Sequence, residues 1–550
     1  MRIKSFLLQL TIITVIAGST DAQGQSVAEA LKTINESSLK AQLGFLASDW
    51  TEGRESETKG AFLAGDYIAS IFQVFGIEPC GDTEYSILFP GQTKARPEAR
   101  SSYFQKFNIV KYKKSDKQSL SLINELNGSR LIRNFEYDID YNLYGIETDT
   151  EIEAPVVFVG YGIRNDSLKY NDFANVNVKG KIIVRLDGFP GFRDTTSGSF
   201  KKLKFSNLWN SKERWAIEAG AAGVINIPSN PNKDFGKVHN FPFRHQSGEI
   251  EADNMPETYY DEKAILANDS IKKTLPVIRI SVRLQNELTE LMNIDLNSFE
   301  QNAMNSLKSN SKEIKGLRIG LKSGIQSKLV TVRNVLGMIE GVNKNEFIVV
   351  GAHYDHLGKY NGYIYNGADD NGSGTVGVMS IARAIKATGR KPEKTIIFAA
   401  WTAEERGLLG SEYFVNNFPG PFRIFLNVNF DMIGRCSVKD TVGNKCGVEF
   451  TKVYNGFQEL LQKQLKDWDL NLDIKYTGSD KPSGGSDYAS FAERDIPVIS
   501  FMAAMHPDYH RPSDEVSKIE WKKMEQIIKL GFLSINELVN SDLKKYKIVK

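Results

Sequence analysis

Apolar positions along the chain follow three successive spacings. From Ser26 to about Phe75, "VAEALKTINESSLKAQLGFLA" and "KGAFLAGDYIASIFQVFG" repeat them at three and four, which predicts two amphipathic helices. Between about Ser119 and Leu317 they gather into short runs, "APVVFVGYGI", "VKGKIIVRLDGFPG" and "AAGVINIP", with one helix, "SKERWAIEAG", before the last. Gly, Asn and Asp turns separate these runs, as in a small β-rich domain. Beyond the lysine-rich stretch "SLKSNSKEIKGLRIGLKSG", the runs "EFIVVGAH", "TIIFAAW", "FRIFLNVNFDMIG" and "IPVISFM" are nearly continuous, with helical segments such as "GTVGVMSIARAIKATG" between them. Continuous apolar runs mark strands buried on both faces, so the predicted fold is α/β with a doubly wound sheet. Such sheets place their sites at the carboxyl ends of the strands.

The first residues put Arg2 and Lys4 ahead of an apolar run from Phe6 to Ala17 and then small residues, the layout of a signal peptide. That run is too short to span a bilayer, and no cysteine lies near Ser19 to Ala22 to take a lipid. The expectation is an exported protein, periplasmic or extracellular, with no membrane anchor after removal of residues 1–22. At 550 residues the chain is too long for one core, and its formal charge of +2 gives no electrostatic case for nucleic acid. Cys80, Cys436 and Cys446 are too few for a disulfide scaffold; Cys436 and Cys446 either pair across a hairpin or remain thiols.

Each buried run ends in residues able to bind a metal. The first reaches His353-Tyr354-Asp355-His356, the second Glu404-Glu405, the third Asp431, and the fourth is followed by "HPDYHRPSDE" with His506 and His510. Of the six histidines in the chain, four fall in the first and last of these windows, which concentrates ligands at equivalent points of one sheet. Imidazoles and carboxylates without thiolates suit zinc, with cobalt or manganese as substitutes. In the loop "YNGADDNGSG", one of Asp369 and Asp370 can then bridge two cations, roughly 3.5–4 Å apart in two-metal hydrolases. A calcium loop starting at Asp369 fails because its twelfth position is Ser380 rather than glutamate. Gly160-Tyr161-Gly162 lacks the third glycine of a dinucleotide fingerprint. Asp355, two residues after His353, is placed to hold the imidazole's second nitrogen. Glu404 and Glu405 point apart on an extended segment, so one can bind metal while the other serves as general base.

With "GAHYDHLG", "NGADDNGSG", "AEERGLLGS", "NFDMIG" and "HPDYHRPSDE", the chain resembles the secreted two-zinc aminopeptidase family over about 320 to 540, together with "SDWTEGRES" near the start. The resemblance implies a mixed sheet of the zinc exopeptidase type. The middle segment resembles a protease-associated domain through "YNDFANVNVKGKIIVRLDG" and "ERWAIEAGAAGVINI". The organisation it implies is an N-terminal helical segment of the catalytic domain over 23–118, the insertion over 119–317 and the peptidase domain over 318–550. It further implies His353 and Asp431 on one zinc, Glu405 and His510 on the other, and Asp369 between them, followed by Asp370 through a cis peptide. Glu404 matches the family's general base, Asp355 its partner to the histidine, and Tyr509 a tyrosine that stabilises the oxyanion in some members. Many relatives read "SDH" where this chain has Ser486-Asp487-Tyr488; Tyr488 either packs or reshapes the substrate pocket. His356 and His506 fall outside the ligand set.

The implied reaction is removal of N-terminal residues from peptides by water activated between two zinc ions. A carboxypeptidase or dipeptidase on the same scaffold would share those metals, and a glutaminyl cyclase-like transferase would use one.

Overall fold

The four apolar runs become neighbouring strands. Asn343–His353 runs parallel to Lys394–Trp401 on one side and to Arg423–Phe430 on the other, and Arg423–Phe430 runs parallel to Val498–Met502. The structure is a computed structural model that describes residues 26–85, 99–126, 128–144, 149–203, 209–228, 263–267, 275–360 and 362–547. The expected signal segment, 1–22, lies outside them. Successive side chains of a strand point to opposite faces, so Ile348 and Val350 enter one core while Phe347 and Val349 enter another. Helices Glu36–Leu46, Lys59–Val74, Gly374–Ala387 and Trp521–Leu538 cover the first face. Leu409–Asn416 and Tyr488–Ala492 cover the second. The sheet is therefore doubly wound, as the apolar runs predict.

Two strands were not legible as such. Phe104–Leu126 pairs antiparallel with Lys312–Ile339, from Phe104 opposite Val335 to Asn124 opposite Leu317. Most of the lysine-rich stretch is thus the start of a long strand. Ile314, Leu317, Ile319 and Leu321 are buried while the lysines and arginines between them face outward, an alternation that the charge content disguises. Lys312–Ile339 pairs at one end with Lys394–Trp401 and at the other with Thr150–Phe158, so the mixed sheet is continuous through sixteen strands among the described residues. The expected cuts at 118/119 and 317/318 both fall inside this two-stranded ribbon. Beyond it, Thr150–Phe158, Ile182–Leu186, Gly223–Ile227 and Val277–Ile280 run parallel around a second core, closed by antiparallel Tyr141–Tyr144.

The opening of the chain also differs from the expected pair of helices. The first breaks into 26–32 and Glu36–Leu46, because the Asn35 side chain accepts from the Ser38 N–H and caps the second helix. Cys80, Cys436 and Cys446 are free thiols, which removes the cross-hairpin pairing as a feature of this structure. Among the described residues no helix is long and apolar enough to cross a membrane.

The second core holds one testable charge. Asp172 is buried, accepts the Ile163 N–H at 3.0 Å, and burial pushes its carboxyl up to about 6. A raised carboxyl pKa means the folded state holds the proton more tightly than the unfolded one. Stability from this group is complete below about pH 4 and is lost as pH rises through about 6. Asp172→Asn is expected to match the wild type near pH 4 and exceed it at pH 8 by roughly 2–3 kcal/mol, read as a thermal midpoint measured across pH.

Candidate metal centre

His353 is the last residue of its strand, and three carboxylates from three other segments stand around its Nε2. Nε2 lies 3.4 Å from Asp370 Oδ1, 3.6 Å from Asp431 Oδ1 and 3.7 Å from Glu404 Oε2. On the other side His510 Nε2 lies 3.1 Å from Asp370 Oδ2 and 3.2 Å from Glu405 Oε2. The two oxygens of Asp370 therefore face two different histidines.

This corrects the expectation for the aspartate pair. Asp369 turns away: its Oδ1 accepts the Gly434 N–H at 2.6 Å and its Oδ2 sits 3.3 Å from His506 Nε2. Both backbone N–H groups of the pair donate to the Asp514 carboxylate, which fixes the loop so that Asp370 alone projects between the histidines. The cis peptide joins Asp370 to Asn371 and not Asp369 to Asp370.

Donor atoms fall into groups in which all lie within 4.8 Å of one another: His353, Asp370 and Asp431; His356, Asp370 and Glu405; and His353, Glu404 and Glu405. His356, placed outside the ligand set by its sequence context, donates or accepts through Nδ1 at 2.7 Å from Glu405 Oε1. His353 Nδ1 is nearer the Asp355 carbonyl, at 3.2 Å, than the Asp355 carboxylate, at 3.9 Å. The carboxylate instead accepts the Glu404 N–H at 3.2 Å, so Asp355 braces the turn that carries Glu404. Asp431 is steadied through Oδ2, which accepts the Ser486 hydroxyl at 2.6 Å. Its Oδ1 is buried and accepts no hydrogen bond. A buried carboxylate oxygen without a donor is unfavourable unless a cation supplies the missing charge. The donor chemistry, imidazole and carboxylate without thiolate, fits divalent zinc, cobalt or manganese at these groups.

Electrostatics separate the two adjacent glutamates. Burial, reinforced by Glu405, Asp487 and Asp431, raises Glu404 well above the usual carboxylate range. Burial also opposes ionisation of Glu405, but the charges of His510 and His356 and their hydrogen bonds outweigh it and hold Glu405 well below that range. A pair pushed in opposite directions is the pattern of one proton carrier beside one permanent anion. Burial disfavours protonation of His353, yet Glu404 and Asp431 raise it; Glu405 and Asp370 do the same for His510. Tyr509 stacks on His510 with ring centroids 3.8 Å apart. Burial and the surrounding carboxylates raise its hydroxyl far above the ordinary value, so it stays a donor. Tyr509, Glu404, Asp431 and both histidines line one cavity of about 750 Å³.

Three supports escaped the sequence reading. Ala403, Met432 and His510 have φ of 56°, 51° and 56°, each at or beside a candidate ligand. Left-handed backbone at non-glycine residues costs on the order of 1–3 kcal/mol and persists where surrounding structure enforces it, typically at functional sites. Ser486 is the second support. The third is Arg54, within "SDWTEGRES", which is fully buried and donates to the carbonyls of Tyr354, Leu46, Asn366 and Gly367 at 2.6–2.8 Å. It ties the histidine-bearing turn to the loop that carries Asp370. Burial lowers it to about 10, so it remains a cation at neutral pH, opposite Asp514 and Asp370. Arg54→Met is expected to destabilise the fold by about 3–5 kcal/mol, since it strands four carbonyls and removes a buried charge from its partners. Denaturant unfolding of the two proteins measures the difference.

Residues 334–532 match the model described as peptidase family M28. The chain is 32% identical to leucine aminopeptidase 2 of Trichophyton rubrum over 216 residues, 34% of this chain and 41% of that protein. It is 27% identical to a glutamate carboxypeptidase 2 homolog of Caenorhabditis elegans over 391 residues, 63% of this chain and 48% of that one. The match thus spans less than half the length of these relatives. The fold is similar to that of an aminopeptidase from Aneurinibacillus sp. strain AM-1, with a TM-score of 0.54, 17% identity, and coverage of 92% of this chain and 95% of that chain.

Proposed function

We propose that the chain, whose residues 334–532 match the peptidase family M28 model, is a zinc-dependent aminopeptidase that hydrolyses N-terminal residues from peptides. The observation that carries this reading is Asp370, whose two oxygens stand between His353 with Asp431 and His510 with Glu405. Those five residues would hold a pair of zinc ions, which when bound supply Lewis acidity toward the scissile carbonyl and toward water. Glu404, raised and beside His353, takes the proton of the attacking water and returns it to the leaving amine. Tyr509 donates its hydroxyl to the oxygen that becomes negative in the transition state. His356 and Ser486 hold Glu405 and Asp431 in place, and Asp355 holds the backbone of Glu404. The proposal includes an inserted protease-associated-like domain over 119–317 and export directed by residues 1–22.

The relative described as a glutamate carboxypeptidase homolog favours a second reading, release of C-terminal residues by the same centre. Peptides with free and with acetylated N-termini separate the two. Protein stripped with a chelator and reloaded with zinc is expected to release amino acids only from the unblocked peptides. Equal release from acetylated peptides would favour the carboxypeptidase, and release undiminished by chelation would reject both.

A further inference from the structure

One wall of the 750 Å³ cavity is a sheet face whose residues take no part in the metal groups. On strand Lys445–Thr451, Cys446, Val448 and Phe450 enter the core, so Lys445, Gly447 and Glu449 face the other way, toward the cavity. Glu449 lies opposite Ser500 on one neighbouring strand and Thr477 on the other. Gly447 lies opposite Met502 and Lys475, and its lack of a side chain leaves the approach to Glu449 open. Met432, Met502 and Met505 supply apolar wall. Within it Glu449 Oε2 accepts the Tyr488 hydroxyl at 2.8 Å, and among the described residues Glu449 forms no ion pair with lysine, arginine or histidine. Lys445, Lys475 and Asp473 also reach the cavity, and neither lysine is joined to Glu449.

Tyr488 does two things. Its ring packs with Trp401 and Phe491, while its hydroxyl reaches into the cavity. Gly484 makes room for it, since a Cβ there would collide with the hydroxyl oxygen. Ser486, two residues earlier, holds Asp431, so the tyrosine and the metal groups are carried by one short segment. A carboxylate aimed by a neutral donor, without a cation of its own, inside a mostly apolar wall, suits a ligand with an aliphatic stem and a positive head.

We infer that Glu449, positioned by Tyr488, selects substrates whose N-terminal residue is lysine or arginine. This rests on the aminopeptidase reading above. The methionines cover the methylenes of such a side chain, and Glu449 meets its ammonium or guanidinium.

The test is a fluorogenic aminoacyl panel of leucine, methionine, lysine and arginine on the zinc-loaded full chain, its Glu449→Gln variant and its Tyr488→Phe variant, each checked for an unchanged thermal midpoint and zinc content. A charge-assisted contact of this kind corresponds to about a 10- to 100-fold effect. Glu449→Gln is expected to lower kcat/KM for lysine and arginine substrates by that factor, mostly through KM, while leucine and methionine change less than about threefold. Tyr488→Phe, which keeps the ring and frees Glu449, is expected to shift the same ratio in the same direction by a smaller factor. An unchanged ratio of arginine to leucine in both variants, or a uniform loss on all four substrates as recognition of the α-amine would give, would overturn this inference and leave the aminopeptidase reading standing. No hydrolysis of any substrate by the loaded wild type would overturn both.

Discussion

Asp370→Asn is expected to abolish peptide hydrolysis and release metal, whereas Asp369→Asn, one residue away, is expected to retain both zinc ions. Asp370 offers one oxygen to each histidine, at 3.4 and 3.1 Å. Replacing it with an amide removes the one anion that faces both histidines, whose charge would offset the repulsion between two bound cations. Activity should fall by on the order of 10³-fold or more, with zinc content dropping toward zero after dialysis. Asp369 contacts Gly434 and His506 rather than the histidines of the centre, so its loss acts through the loop. A support of that kind typically changes metal affinity or activity by about 10–100-fold. Zinc content and kcat/KM of the two variants side by side decide between them. The opposite ranking would restore Asp369 as the shared ligand.

Glu404→Gln should separate chemistry from metal binding. The amide keeps the shape of the side chain but cannot accept a proton from water, so kcat is expected to fall by about 10²–10⁴-fold while zinc content stays at the wild-type level. The pH profile gives an independent readout. A general base must be deprotonated to act, so activity rises as pH rises through its pKa. Burial and the neighbouring carboxylates raise Glu404, whereas cations held by His353, Asp431 and Glu405 would lower it, so the acid limb of kcat/KM is identified with Glu404 by comparison with the glutamine variant. In the glutamine variant that limb should vanish from the residual rate. Retention of full activity would move the proton carrier elsewhere, with Asp355, pushed up to about 7 by burial, as the next carboxylate to replace.

The strands that carry the centre were legible because both of their faces are buried. Residues such as Ile348, Val349 and Val350 leave no polar position to interrupt the run, and the ligand-type residues follow where the run stops. Phe104–Leu126 and Lys312–Ile339 were not legible, because one face of each holds lysines and arginines and an alternating pattern of that kind resembles a charged linker. The aspartate pair failed for a different reason. Asp369 and Asp370 are identical in chemistry and lie in a loop, where no period says which side chain points inward. The choice is made by Asp514, which receives both N–H groups from a segment 144 and 145 residues away. Arg54 is a third case. Its position in "SDWTEGRES" suggested only kinship, while its four carbonyl acceptors come from parts of the chain that the sequence separates by up to 313 residues.

The central claim is that Asp370 is shared between two zinc ions, one with His353 and Asp431 and the other with Glu405 and His510. The most direct measurement is anomalous diffraction at the zinc edge from crystals of the zinc-loaded protein. The account predicts two peaks of comparable height, roughly 3.5–4 Å apart, on either side of the Asp370 carboxylate. A single peak, or a pair flanking Asp369, would contradict it.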